Sequence, residues 1–428
     1  MKQWESGRVS ELYVTLMCSL FLLAVSPQGY RNIAETKFAV FALLTVLFLL
    51  FFFLPRTGSG TIRKGRWHTV HFLIVAYWSW SLLSAVCSPW RLTALLGGER
   101  FDGMITITLY CAVLLILSRS GIRGHFRLWL PAAVFVVLCI ISILQFLDLN
   151  PLWLYPGDLR WSGRERIYNG AFLSTIGNAD LTSSVLCTGF AFFWPIGIQR
   201  GRRYLLPIAA LILAVLIASG IRAGLVGASV SILICLPPAL PLGRKGVRRV
   251  WLCLAMVCLC LLLFIYLYPL SGTLGELHEM MHGHAEDTFG SGRVYIWKNV
   301  WPLVKDRPIL GGGPDTLGER GLAFVKIGAD GALIRRTIDC AHSEPLNILV
   351  NQGLPALLLL AAAWLLTMIR SLRCRTTAAA ALRSALIAYA TAACFGIGMP
   401  SNDALFWLIW GMLLAEIAEN GNQRFNVI

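Results

Sequence analysis

The stretch TKFAVFALLTVLFLLFFFL, residues 36–54, holds one charged side chain, Lys37, in nineteen residues. Coiled as a helix at about 1.5 Å per residue it is about 28 Å long, the thickness of a bilayer's hydrocarbon core. A sequence of this kind is read as a membrane span.

Working outward from it, similar apolar runs recur near 11–26, 69–86, 102–118, 127–147, 178–198, 204–219, 222–240, 249–268, 345–369, 378–397 and 403–419. Composition agrees: 57% of the 428 residues are hydrophobic and only 14% are charged, where a soluble domain carries roughly a quarter charged. The first run, preceded by Lys2 and Arg8, has the look of a signal peptide ending at AVS. Pro27 would directly follow that cut, so the run is kept as an uncleaved span. The expected fold is an all-α polytopic membrane protein of about twelve transmembrane helices with one large extracytoplasmic loop.

Basic residues orient it. With a cytoplasmic N-terminus, the inner loops carry RTGSGTIRKGR, RSGIRGHFR, QRGRR, GRKGVRR and RSLRCR, as the positive-inside rule requires. Both termini are then cytoplasmic, and the formal charge of +15 reflects orientation rather than nucleic-acid binding. Residues 1–268 form nine spans with an aromatic and arginine-rich outer loop near 148–177. The large loop covers 269–344, and 345–428 form the last three spans. Twelve cysteines lie mostly within spans, and Cys340 is the one clearly in the large loop, so no disulfide framework is expected. Loops this long usually carry function.

HEMMHGH, residues 278–284, sets His278 and His282 four apart with Glu279 between them, the spacing of a zinc protease. Gly283 follows at once and weakens the helix that would present both ligands, and no good third ligand follows. The segment reads as a solvated loop, and no metal site is expected. Three other residues point elsewhere. Arg222, in LIASGIRAGLVGAS, lies at the tight outer junction of two spans among small residues, where a charge is a functional hypothesis by default. Arg293 opens a helix expected over about 292–305, beside backbone N–H groups that favour anions. Val294, Trp297, Val300 and Trp301 give that helix a face for the membrane or the spans below. His342 stands at the entrance of a span, followed by Ser343, Glu344 and Asn347. All three fall on one membrane face, as an anionic headgroup site needs. Asp180, in TIGNADLTSS, reads as capping or packing.

His342-Ser343 followed after nine residues by Gly353, SGIRAG around Arg222, and GRVYIW with GGGPD downstream together resemble the motifs of the O-antigen ligase and polymerase family. Two departures are Ile221 before the arginine, where the family often has a polar residue, and Leu354-Pro355-Ala356 after Gly353 in place of a glycine-rich step. The resemblance implies a GT-C-like fold in the bacterial cytoplasmic membrane. Such a protein transfers a glycan from a polyprenyl diphosphate carrier to an acceptor hydroxyl, a glycan or glycolipid, on the extracytoplasmic face.

A sugar C1 on diphosphate already has a good leaving group, so the work left is holding phosphate and removing one proton. Arg222 and Arg293 are expected to bind the diphosphate, and His342 to act as base or orienter, with inversion at C1. No cofactor, metal or nucleotide is required. Ligase is preferred and polymerase is the alternative. A pilin or protein glycosyltransferase, a lipid-linked sugar transporter and a membrane zinc protease rank below these.

Overall fold

Runs of Leu, Phe, Val and Ala in lipid satisfy their backbone groups only by coiling. The computed structural model describes residues 2–53, 68–120, 128–147, 149–155, 172–199, 201–239, 243–327 and 333–425. In chain order the helices are α1 (Lys2–Leu16), α2 (Ile33–Phe53), α3 (Thr69–Val86), α4 (Arg91–Leu96), α5 (Met104–Leu117), α6 (Trp129–Phe146), α7 (Ala179–Gly197) and α8 (Leu205–Ser219). They continue as α9 (Arg222–Ala239), α10 (Arg244–Leu267), α11 (Gly272–Met281), α12 (Phe289–Asp306), α13 (Glu344–Ser371), α14 (Thr377–Ala393) and α15 (Pro400–Phe425). Each apolar run read from the sequence lies on one of these helices. Among the described residues, five helices are long and apolar enough to cross a membrane: Tyr30–Phe53, Thr69–Val86, Trp129–Phe146, Lys245–Leu267 and Glu344–Ser371. Three further apolar helices, Met104–Leu117, Leu205–Ser219 and Arg222–Leu236, are shorter. The chain is a mostly helical membrane protein.

Small residues decide which helices sit at the centre. Helix α7 is buried along almost its whole length, through Thr182, Ser183, Ser184, Thr188 and Gly189 among others. It packs on α8, α9 and α14. Gly189 lies against the Phe135 ring, Gly224 against Ser183, and Gly227 against the Ala388 carbonyl. Helices meet this closely in lipid only where side chains are small. Lys37, the one charge in the opening stretch, is buried, and its Nζ donates to the carbonyls of Phe21 and Leu22, both at 2.8 Å. The π-helical turn Met17–Phe21 lies at that site, where a strand of hydrocarbon would otherwise have to solvate the ammonium.

The all-α class stands, with one addition: β1 (Ala323–Ile327) and β2 (Leu333–Thr337) pair antiparallel within the large loop. Phe324, Val325, Ile327, Ile334 and Thr337 are β-branched or aromatic, residue types that favour strands. The face expected on α12 splits. Ile296, Val300 and Val304, one turn apart, are buried with Leu317, Ile338 and Val350 in a separate small core, whereas Trp301 is 49% exposed. The helix therefore packs on the loop's own hairpin end and on α13, with Trp297 half-buried against that core and Trp301 turned to an open groove. Much of the loop expected near 148–177 (148 and 156–171) lies outside the described residues. Its described flanks, Leu154, Tyr155 and Leu173, are buried with Tyr30.

Backbone packing joins the loop to the spans. Helix α13 kinks at Gly353, whose φ is +82. Leu354 N donates to the Pro308 carbonyl at 2.8 Å, Gly312 N to Val350 at 3.2 Å and Gly313 N to Asn351 at 2.7 Å. A Cβ on Gly311, Gly312 or Gly353 would collide with Asn351, Arg320 or Ile309 respectively. Gly311 and Gly353 thus serve close backbone approach, and Gly312 leaves room for the Arg320 guanidinium. From α3 and the turn after it, Ser84 and Ser88 donate to the carbonyls of Leu310 and Gly312, and Trp80 Nε1 to that of Gln352 at 3.2 Å.

Candidate active site

Arg293 owes its place to a left-handed run. Gly290, Ser291 and Gly292 all have positive φ, so the regular part of α12 begins at Arg293. Its guanidinium is largely buried (18% exposed), with Nε donating to the Phe395 carbonyl at 2.9 Å and Nη1 to Gly290 at 2.8 Å. Nη2 stands 3.8 Å from the Asp180 carboxylate. Asp180 is not the cap of α7. Asn178 is, its side chain accepting from the Asp180 and Leu181 N–H groups, which frees the Asp180 carboxylate to face the arginine.

Arg222 begins α9 with only Ile221 between it and the left-handed Gly220 that closes α8. It is more open, at 54% side-chain exposure, and lies 3.7 Å from Glu276 on α11. The same Glu276 oxygen accepts from Gly290 N at 3.1 Å. Arg222 and Arg293 are therefore connected through one carboxylate and the glycine turn.

His342 precedes α13 with a φ of +48, a backbone conformation that costs a non-glycine residue about 1–3 kcal/mol and is kept only where surroundings enforce it. Burial pushes its pKa below the usual histidine value, and the positive charges of Arg100 and Arg293 add to the fall, opposed by Asp180 and Asp339. The imidazole is thus held neutral and able to accept a proton at pH 7. These four charges around one histidine bring Arg293 and His342 to one place.

Arg100, Asp339 and Glu276 were not singled out by sequence reasoning. Arg100 is 7% exposed and grips Asp339 through Nε at 2.9 Å and Nη2 at 3.3 Å. That pair ties the segment before α5 to the segment that carries His342. The signal was there in GGERFDG, residues 97–103, three charges packed into a short connection between two apolar runs. Asp315 reinforces the connection by accepting from Gly98 N at 2.7 Å and Asp102 N at 3.1 Å, and burial raises its pKa to about 6.

Beneath His342, Asp102, Glu344 and Asp403 bring carboxylate oxygens within 4.8 Å of one another, the spacing that a cation or shared protons would satisfy. Tyr389 donates to Asp403, and a Cβ on Gly398 would lie 2.5 Å from both the Asp403 and Glu344 oxygens. HEMMHGH is arranged differently. His278 Nδ1 bonds the Ile265 carbonyl at 2.7 Å, the His282 ring stacks on Tyr266, and Glu279 faces His284 at 3.2 Å. Glu279 is thus turned away from the point between His278 and His282.

Beside the histidine a cavity of about 580 Å³ opens, lined by Trp297, Lys298, Trp301, Ser343 and Leu346. Trp297 Nε1 donates to the Ala341 carbonyl at 2.9 Å, fixing that ring next to His342.

The arrangement suits a reaction in which an anion is held by guanidinium groups while a neutral imidazole takes a proton. Residues 207–361, which include Arg222, Arg293 and His342, match the family model described as O-antigen ligase. No curated protein matches the chain.

Proposed function

We infer that this chain, which residues 207–361 place in the O-antigen ligase and polymerase family, moves a glycan from a polyprenyl diphosphate to an acceptor hydroxyl. The observation that carries the reading is the charge pattern about His342: a half-buried neutral imidazole in the field of Arg293 and Arg100, with Asp180 and Asp339 opposing. Arg293 and Arg222 hold the diphosphate, whose oxygens match the planar fork of a guanidinium. In the free protein Asp180 and Glu276 occupy these cations, and the diphosphate displaces or shares them.

The acceptor oxygen attacks C1 as the bond from C1 to the diphosphate oxygen breaks. The electron pair leaves with the polyprenyl diphosphate, and the acceptor proton passes to the unprotonated nitrogen of His342 and then to water. Direct displacement inverts the anomeric centre. Arginines rather than a metal ion stand at the diphosphate. The protein lies in the bacterial cytoplasmic membrane with twelve spans in a GT-C-like arrangement, both termini cytoplasmic and this site outside.

We favour a ligase over a polymerase, both of which use the same diphosphate chemistry on different acceptors. The test is the size profile of polyprenyl-linked glycan in cells lacking the gene. Long polymer stranded on the carrier is expected for a ligase. Single repeat units stranded there assign the polymerase, and an unchanged profile overturns both.

A further inference from the structure

The groove beside Ser343 is open where most of the loop is packed. Its tryptophans are one turn apart on α12, Trp297 half-buried and pinned to the Ala341 carbonyl, Trp301 49% exposed. Lys298 at the rim is held by the Ala285 carbonyl at 2.9 Å and Asp287 at 2.8 Å. Ser343 is the N-cap of α13 by position, but its hydroxyl makes no capping bond, so it is available to a ligand. A fixed indole ring next to a free hydroxyl and an ammonium presents what a pyranose needs: an apolar face for its C–H groups and polar atoms for its hydroxyls.

Position along α12 separates the two sugars of the reaction. Arg293 begins the regular helix and Trp301 lies eight residues on, about 12 Å at 1.5 Å per residue. The facing segment meets the helix midway between them, where Trp297 bonds the Ala341 carbonyl at 2.9 Å, and His342 and Ser343 follow directly. In a direct displacement the entering oxygen approaches C1 opposite the leaving diphosphate. With the diphosphate at Arg293 and proton removal at His342, the acceptor comes from the far side, where the tryptophan groove lies. We propose that the groove formed by Trp297, Trp301, Lys298 and Ser343 binds the acceptor saccharide, with Trp301 as its stacking platform. The proposal rests on the assignment of Arg293 and His342 above.

The test uses the full chain in lipid nanodiscs, with carrier-linked glycan as donor and a de-lipidated, water-soluble form of the acceptor as probe. Trp301→Ala is expected to raise the acceptor KM about tenfold, with donor KM and kcat within about twofold. Trp301→Phe should restore most of the loss. Acceptor alone, without donor, should quench tryptophan fluorescence in the unaltered protein and less so in Trp301→Phe. A rise in donor KM instead would make the groove a donor site. No change in either KM would make Trp301 a membrane-interface anchor. Either result overturns the proposal. Failure of the underlying reading looks different: His342→Ala would keep full transfer whatever Trp301 does.

Discussion

Gly353→Ala is the sharpest test of how the loop is fastened. The residue sits at φ +82 and ψ 173, a region almost restricted to glycine, and forcing an alanine there costs about 1–3 kcal/mol. The new methyl group would also run into the Ile309 carbonyl. Relief requires moving the 308–313 turn away from α13, and that turn is held by Leu354 N to Pro308, Gly312 N to Val350 and Gly313 N to Asn351. At a net value of about 1 kcal/mol each, losing these three adds about 3 kcal/mol. The total, about 4–6 kcal/mol, is a large share of the roughly 5–15 kcal/mol that a folded protein has to spare. Gly283 is the control: its φ is +85 but a Cβ there meets nothing within 4 Å, so Gly283→Ala carries the backbone cost alone. Thermal unfolding of both variants in the same nanodiscs, followed by fluorescence, compares them. Gly353→Ala should unfold well below Gly283→Ala. Equal midpoints would refute the claim that the collision, and not the backbone angle, matters.

Alanine at Arg293 or His342 should each lower transfer by about 10²–10³, the loss typical of one preorganised group acting on developing charge. Arg222→Ala should fall similarly, with membrane insertion unchanged in all three; full transfer by all three would defeat the site assignment. The rate should fall on the acid side below the usual histidine range, because burial and the nearby arginines lower the His342 pKa and the neutral form is the active one. Asp180 opposes that lowering, so in Asp180→Asn the acidic limb should move to still lower pH; a move upward would mean another group titrates. Glu279→Gln should leave transfer intact, and loss of transfer with stoichiometric zinc in the purified protein would reinstate a metal reading of HEMMHGH.

Hydropathy made the helices legible because lipid leaves an apolar run one way to satisfy its backbone. Arg222 and His342 drew notice for a related reason, being titratable groups at the ends of such runs, and Arg293 as the first residue of a helix within the large loop. What escaped was pairing across distance. Nothing in GGERFDG says that Arg100 reaches Asp339, 239 residues on. The role of Asp180 was misread because the neighbouring Asn178 took the cap, a choice between two adequate cap residues. The glycines of GGGPD are of the same kind as Arg100: their contacts with Asn351, Arg320 and Ser88 all lie across distance. The tryptophan face of α12 looked like one stripe, yet a loop with its own core can bury the aliphatic side, hold Trp297 half-buried against it and leave Trp301 exposed.

The small core under α12 has a consequence for how the protein is made. Val300, Leu317 and Ile338 close against Val350, with Leu346 and Leu349 beside it, and these last three belong to α13, which leaves the ribosome after the whole loop. During synthesis the loop must therefore wait, incomplete, until the tenth apolar run arrives to finish it. Secreted by itself, the loop would expose the surface that α13 covers, so antibodies or binders raised against an excised loop would recognise a form the mature protein never shows.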